Sequence, residues 1–228
     1  MAIGGLEEDD VSGWRAVLDD AERARVDSIA HARNRVEYIA AHALTRRLLS
    51  ETIGEAPAAF HYQAGAKGKP LALIEGRPAG LQFNLSHTNG LVAIAVSRLG
   101  EVGVDAEAID RHVNLAVADR YFFGAESRWL ANLAPAVRAE GFLRLWTLKE
   151  AYIKATGRGL SQPLDEFWFE VDPLRIRFTP AIADDEGAWR FDQRVLAGRF
   201  LVAVGWRATS GDGGLPEVEL LEPVDLSF

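Results

Sequence analysis

Asp105 and Glu107 stand at alternate positions in the run Val102-Gly103-Val104-Asp105-Ala106-Glu107. The alternation predicts a strand, and side chains two apart on a strand share a face. Paired carboxylates repel unless a cation sits between them, and a hard, oxygen-liganded ion such as Mg2+ suits them. Alone, the pair also describes a solvated strand edge. Glu150 and Lys154 are four apart in Trp146-Thr147-Leu148-Lys149-Glu150-Ala151-Tyr152-Ile153-Lys154, and helical spacing puts them on one face. By themselves they describe a solvated ion pair. In Gly65-Ala66-Lys67-Gly68-Lys69-Pro70, glycines allow close backbone approach to a ligand and two lysines add charge. The spacing is not that of a Walker loop. Ser86 and His87 end a strand-like stretch and offer two donors at a turn, which suits phosphate oxygens.

Lysine usage ties these patterns together. Of 25 basic residues only Lys67, Lys69, Lys149 and Lys154 are lysine, and the other 21 are arginine. Where arginine serves everywhere else, the remaining lysines mark places that need a compact, mobile ammonium.

The elements that must position these residues are legible from periodicity. Phe142, Leu145, Leu148, Tyr152 and Ala155 recur at steps of three and four, predicting one buried helix face that ends at Gly157. Lys149, Glu150 and Lys154 are assigned to its remaining surface. Asp19 or Asp20 can cap a helix, and residues 21–50 read as two helices. Arg25, Arg33, Arg35, Arg46 and Arg47 make that region basic, either as solvated surface or as a rim for an anionic ligand. Residues 81–88 alternate as a strand, and residues 91–96 form a buried strand. Residues 113–140 read as surface helices with Tyr121, Phe122 and Phe123 buried. Further strands are expected at Phe167–Val171, 175–178, Trp189–Leu196 and 200–206. Residues 1–10 are expected to be poorly ordered or a weak strand, and the tail a loop with a last strand. A helix followed by strands occurs in both halves, predicting an internal repeat with a ligand cleft between the copies.

At 228 residues the chain can bury a full core. It has no cysteine, which excludes a disulfide framework and a thiolate nucleophile. No apolar run reaches membrane length and no basic-then-apolar leader opens the chain, so a cytoplasmic location without membrane attachment is expected. The net charge of −8 is carried by the ends, with residues 11–207 at +1. That balance argues against a nucleic-acid surface.

Taken together, Gly68-Lys69-Pro70, Phe83-Asn84-Leu85-Ser86-His87, Gly103-Val104-Asp105-Ala106-Glu107 and Trp146-x-x-Lys149-Glu150-Ala151-x-x-Lys154-x-x-Gly157-x-Gly159 resemble the 4′-phosphopantetheinyl transferase superfamily in its longer, pseudo-dimeric, Sfp-type branch. Each motif is weak alone; four in order are specific. The matching motifs run from residue 68 to 164. The resemblance implies an α+β fold of two pseudo-twofold-related α/β halves with coenzyme A in the cleft between them. The halves are expected at 1–100 and 101–228, the second carrying the metal and catalytic motifs.

The resemblance also implies roles. Asp105, Glu107 and Glu150 would hold Mg2+, with Mn2+ as an alternative. Lys69, Ser86 and His87 would contact the phosphates of the co-substrate coenzyme A. Lys154 would meet the pyrophosphate and Lys149 the same neighbourhood. Arg25 matches a basic position at the 3′-phosphate, and Glu126 a glutamate near the metal. The general base is left open among Glu107, Glu150, Glu126 and Lys154. The reaction would move phosphopantetheine to a serine of an acyl or peptidyl carrier protein, with the enzyme expected to be a monomer. Docking of the carrier is expected on the basic face around Arg33, Arg46 and Arg47, or on apolar residues within 113–135. Two rivals are an Mg2+-dependent phosphohydrolase, which needs no Lys-Glu-x-x-x-Lys helix, and a non-catalytic domain binding coenzyme A or carrier protein, which would have lost a metal carboxylate.

Overall fold

The computed structural model describes residues 1–65 and 68–208. Lys67 and the expected C-terminal loop and strand lie outside the described residues.

Helix α1 (Asp20–Ser28) starts at a reciprocal capping box, in which Asp19 accepts from the Glu22 amide and Glu22 from the Asp19 amide. Helix α2 (Ala32–Ile53) ends at Gly54, whose left-handed backbone closes the last turn. The two helices are those expected from the sequence. Val36, Ile39, Ala40, Ala43 and Leu44 of α2 are buried with Trp14, Val26 and Val92 in one core cluster.

Arg46 corrects the basic-face expectation. It is 0% exposed, pairs with Glu22 at 2.8 Å and Asp19 at 3.0 Å, and donates to the carbonyls of Pro57 and Phe60. A buried guanidinium persists because its five donors are met. It anchors the start of α1 to α2 and is not free to dock a partner. Arg33 is exposed, and Arg47 pairs with Glu51 at 2.7 Å.

Every described strand ladder is antiparallel. Strands β1 (Phe60–Ala64), β2 (Pro70–Ile74) and β3 (Arg77–Pro78) form one sheet, and β4 (Gln82–Thr88) pairs with β5 (Leu91–Ser97). Strand β6 (Val102–Ala108) pairs with β10 (Phe200–Arg207), which also pairs with β9 (Trp189–Leu196). Strands β7 (Phe167–Val171) and β8 (Leu174–Phe178) form a hairpin. Residues 1–3 are held against β5: Ala2 bridges Leu91, and the Ile3 amide donates to Gly90. The N-terminal end therefore makes one isolated bridge in place of the weak strand expected there. Helices α3 (Ala116–Tyr121) and α4 (Gly124–Asn132) precede α5 (Arg138–Thr156). Phe122 is buried and Phe123 stacks on Trp168, but Tyr121 is 48% exposed, against expectation. Tyr121 ends α3, and Phe122 and Phe123 are extended, so side chains of successive residues point different ways.

Helix α5 is the centre of the second core. Phe142, Leu145, Leu148, Tyr152 and Ala155 are all buried as expected, and Gly157 caps the helix at φ 64°. Burying each large apolar side chain contributes roughly 1.5–3 kcal/mol. The helix lies on β6 and β10 at a distance that only glycine permits. A Cβ on Gly103 would fall 2.1 Å from the Ala151 carbonyl oxygen and 2.4 Å from the Ala155 nitrogen. Helix backbone cannot yield there as a flexible side chain can. Gly103→Ala is therefore expected to destabilise the protein by about 3 kcal/mol or more, read as a lowered urea midpoint; an unchanged midpoint would refute this contact.

The order of elements repeats: α2 is followed by the β1–β2 and β4–β5 hairpins, and α5 by the β7–β8 and β9–β10 hairpins.

Candidate active site

The close approach of β6 and α5 at Gly103 decides what faces what. Gly103, Asp105 and Glu107 alternate along β6 and share the face turned to α5. Glu150 and Lys154, one turn apart, come from α5. The Lys154 ammonium donates to Asp105 Oδ1 at 2.7 Å and to Ser86 Oγ at 3.0 Å. Ser86, from β4, donates to the same Asp105 oxygen at 3.0 Å and accepts from the Ala106 amide at 3.2 Å. Five expected residues thus come together: Ser86, Asp105, Glu107, Glu150 and Lys154.

The electrostatics of this group are strained. Burial pushes the Glu150 carboxyl up, and Asp105 and Glu107 add to the rise while Lys154 opposes it. Burial also raises Glu107, with Arg111 opposing at 3.2 Å and Trp146 opposing as well. Asp105 Oδ2 and Glu150 Oε1 are buried with no hydrogen-bond partner. Buried carboxylate oxygens without donors are costly, and a divalent cation is the group that would satisfy both at once. The donor set therefore fits a hard metal ion. Among the described residues, no three His, Asp or Glu side chains have already converged into a metal cage. The carboxylates act on one another electrostatically, and the Lys154 ammonium is bonded to Asp105.

Other expected site residues lie elsewhere. Lys149 is 0% exposed and faces the core, not the surface assigned to it. Its ammonium meets Glu126 Oε2 at 2.8 Å, the Phe167 carbonyl at 2.7 Å and the Leu164 carbonyl at 2.8 Å. All three donors are spent inside the protein, and the Phe167 ring lies 4.3 Å away. Burial pushes Lys149 down and Glu126 up, while each opposes the other's shift through their contact. Glu126 also accepts from the amides of Phe169 and Phe123. The pair ties α4, α5 and β7 together, which leaves Lys149 no face toward a phosphate and Glu126 no free oxygen for a metal or a proton.

Ser86 and His87 do not sit at a turn. Both are within β4, on opposite faces, with Ser86 buried and His87 exposed. Arg25 is exposed in the last turn of α1 and donates to Ser28 at 3.4 Å. Lys69 is half-buried and donates to the carbonyls of Ala155 (2.8 Å) and Val102 (3.2 Å). Burial lowers its pKa, with Glu101 opposing. It caps the end of α5, one residue beyond Lys154, where a helix favours positive charge.

Two residues beside the site were given no role from the sequence. The side chains of Asn84 and Thr88 accept from the amides of Val104 and Ala108. The signal was present: Gln82, Asn84, Ser86 and Thr88 alternate as a polar stripe along the strand.

The sequence also has relatives. A family profile described as "4'-phosphopantetheinyl transferase superfamily" matches residues 101–204. The 4′-phosphopantetheinyl transferase HetI of Nostoc sp. is 29% identical over 206 residues, covering 88% of this chain and 85% of that protein. The 4′-phosphopantetheinyl transferase psf-1 of Bacillus pumilus is 36% identical over 54% of this chain and 51% of its own. The human L-aminoadipate-semialdehyde dehydrogenase-phosphopantetheinyl transferase is 26% identical over 85% of this chain and 68% of its own.

Proposed function

The chain belongs to the 4′-phosphopantetheinyl transferase superfamily, in its longer Sfp-type branch, and from that premise we propose how its site performs the transfer. The enzyme moves phosphopantetheine to a carrier-protein serine. Coenzyme A is the donor and adenosine 3′,5′-bisphosphate the leaving product. The observation that carries this reading is the pair of unpartnered buried oxygens, Asp105 Oδ2 and Glu150 Oε1, beside the Lys154 ammonium.

Asp105, Glu107 and Glu150 would hold Mg2+ or Mn2+, which when bound supplies positive charge against the pyrophosphate. Lys154 adds a mobile point charge to the same phosphate oxygens. The carrier serine oxygen forms a bond to the β-phosphorus, and the bond from that phosphorus to the bridging oxygen breaks. The serine proton needs a base; Glu107 and Glu150 face the cluster, whereas the oxygens of Glu126 are held by Lys149 and the amides of Phe123 and Phe169. Lys69 keeps a third N–H beyond its two carbonyl bonds for a phosphate oxygen.

The repeated order of helix and two hairpins supports two pseudo-twofold-related halves, 1–100 and 101–228, with coenzyme A between them. Ser86 and Lys69 of the first half meet Asp105 and the end of α5 in the second, which supports a cleft at this seam. One chain supplies every group, so the enzyme is taken to act as a monomer, in the cytoplasm. No helix among the described residues is long and apolar enough to cross a membrane.

Incubation with coenzyme A, Mg2+ and a panel of apo acyl and peptidyl carrier proteins tests the proposal. At least one carrier is expected to gain the mass of one phosphopantetheinyl group. No gain on any carrier refutes it.

A further inference from the structure

Strand β6 carries Asp105 and Glu107, so its position fixes the carboxylates. One edge of β6 is laddered to β10. The other edge faces β4, whose own ladder is with β5. Alternate amides on that edge of β6 therefore end on side chains. The Val104 amide donates to Asn84 Oδ1 at 2.9 Å, the Ala106 amide to Ser86 Oγ at 3.2 Å, and the Ala108 amide to Thr88 Oγ1 at 3.3 Å. Acceptors at every second residue of β4 meet donors at every second residue of β6, in step and in the same direction. The strands are keyed 84 to 104, 86 to 106 and 88 to 108. A backbone ladder accepts almost any sequence, because its donors and acceptors are common to all residues. Here the register is written in side chains, and a shift of β6 would break all three bonds at once.

Ser86 also touches Asp105 and Lys154, so it belongs to the site itself. Asn84 and Thr88 flank it on either side. We propose that Asn84 and Thr88 are positioning residues for the metal site, acting through β6: they hold its register against β4 so that Asp105 stays within reach of Ser86, Lys154 and Glu150. The proposal rests on the metal-dependent transfer reading above. It goes further in giving the polar stripe of β4 a task distinct from ligand contact. A side chain that orients a metal-bearing strand acts as outer-shell partners do, and their removal typically weakens metal affinity by about 10- to 100-fold.

The test is Mn2+ binding to the folded protein, followed by spin-resonance titration without coenzyme A, alongside melting temperature and the metal concentration for half-maximal transfer. Asn84→Leu keeps approximate shape and deletes the acceptor; its Mn2+ affinity is expected to fall about tenfold or more. Thr88→Val should shift affinity in the same direction, and Thr88→Ser, which keeps the oxygen, should stay at the wild-type value. If Asn84→Leu fails to fold, the Thr88 pair decides alone. Wild-type Mn2+ affinity in Thr88→Val and in a folded Asn84→Leu, even with lowered melting temperatures, would overturn the proposal and leave the transfer reading standing. A wild-type protein that binds no Mn2+ would also overturn the proposal, while the transfer reading stands or falls on the carrier mass gain.

Discussion

Asp105→Asn is expected to lower kcat/KM for carrier modification by about a thousandfold or more while the protein stays folded. It is also expected to abolish the rise in melting temperature that Mg2+ or Mn2+ gives the wild type. Asp105 has two oxygens with different duties. Oδ1 is shared by the Ser86 hydroxyl and the Lys154 ammonium, and Oδ2 is buried without a partner. Asparagine keeps the shape and one acceptor, so Ser86 retains its bond and β6 its register. It removes one negative charge and turns an N–H dipole toward the place where the cation belongs. The loss falls on preorganised charge at the reacting phosphate, the largest single term in such chemistry. Stabilisation by a ligand follows mass action: an ion at 100 times its dissociation constant adds about 2.7 kcal/mol. That increment should be plain in the wild type and missing in the variant. Full turnover in Asp105→Asn, or an undiminished thermal shift with metal, would remove Asp105 from the ligand set.

Much of this site was legible because its signals are local. The α5 face from Phe142 to Ala155 follows from spacing alone, and so do the strands Phe167–Val171 and Trp189–Leu196. Asp105 with Glu107, and Glu150 with Lys154, each share a face by the period of one element. What failed was the placing of Arg46 and Lys149 at the surface. Arg46 meets Asp19 and Glu22, more than twenty residues earlier, and Lys149 meets Glu126 on a different helix. Periodicity within one element does not see such a partner, and charged residues are seldom fully buried. The polar stripe of β4 is limited in the same way: Asn84 and Thr88 alternate with the strand period, and nothing local says that their face meets strand β6. His87 shows the converse: next to Ser86 in sequence, it lies across the strand and outside the cluster. Adjacent donors on a strand cannot reach one phosphate from the same side.

Lys149→Met is expected to destabilise the protein by about 3–5 kcal/mol, read as a lowered urea midpoint. The methionine fills the space but leaves Glu126 buried at 2% exposure without its cation, and the Leu164 and Phe167 carbonyls without their donor. The cost is that of stranding a carboxylate and two acceptors, not the net worth of the ion pair. Lys149→Met combined with Glu126→Gln should therefore recover much of the loss, since the uncompensated charge is gone. The competing reading, in which Lys149 contacts coenzyme A phosphate, gives the opposite pattern: an unchanged midpoint, a raised KM for coenzyme A, and no recovery in the double variant. That pattern would refute the structural role. Helix geometry favours the first outcome. Lys149 and Lys154 are five residues apart, which on an α-helix turns them about 140° from each other. One helix cannot aim both at the same phosphate while its apolar face stays buried. Lys154 is on the side of the carboxylates with Glu150, and Lys149 is on the side of Phe122 and Phe167. The two lysines of α5 thus have separate surroundings, Lys154 at Asp105 and Ser86 and Lys149 inside the core that holds the helix.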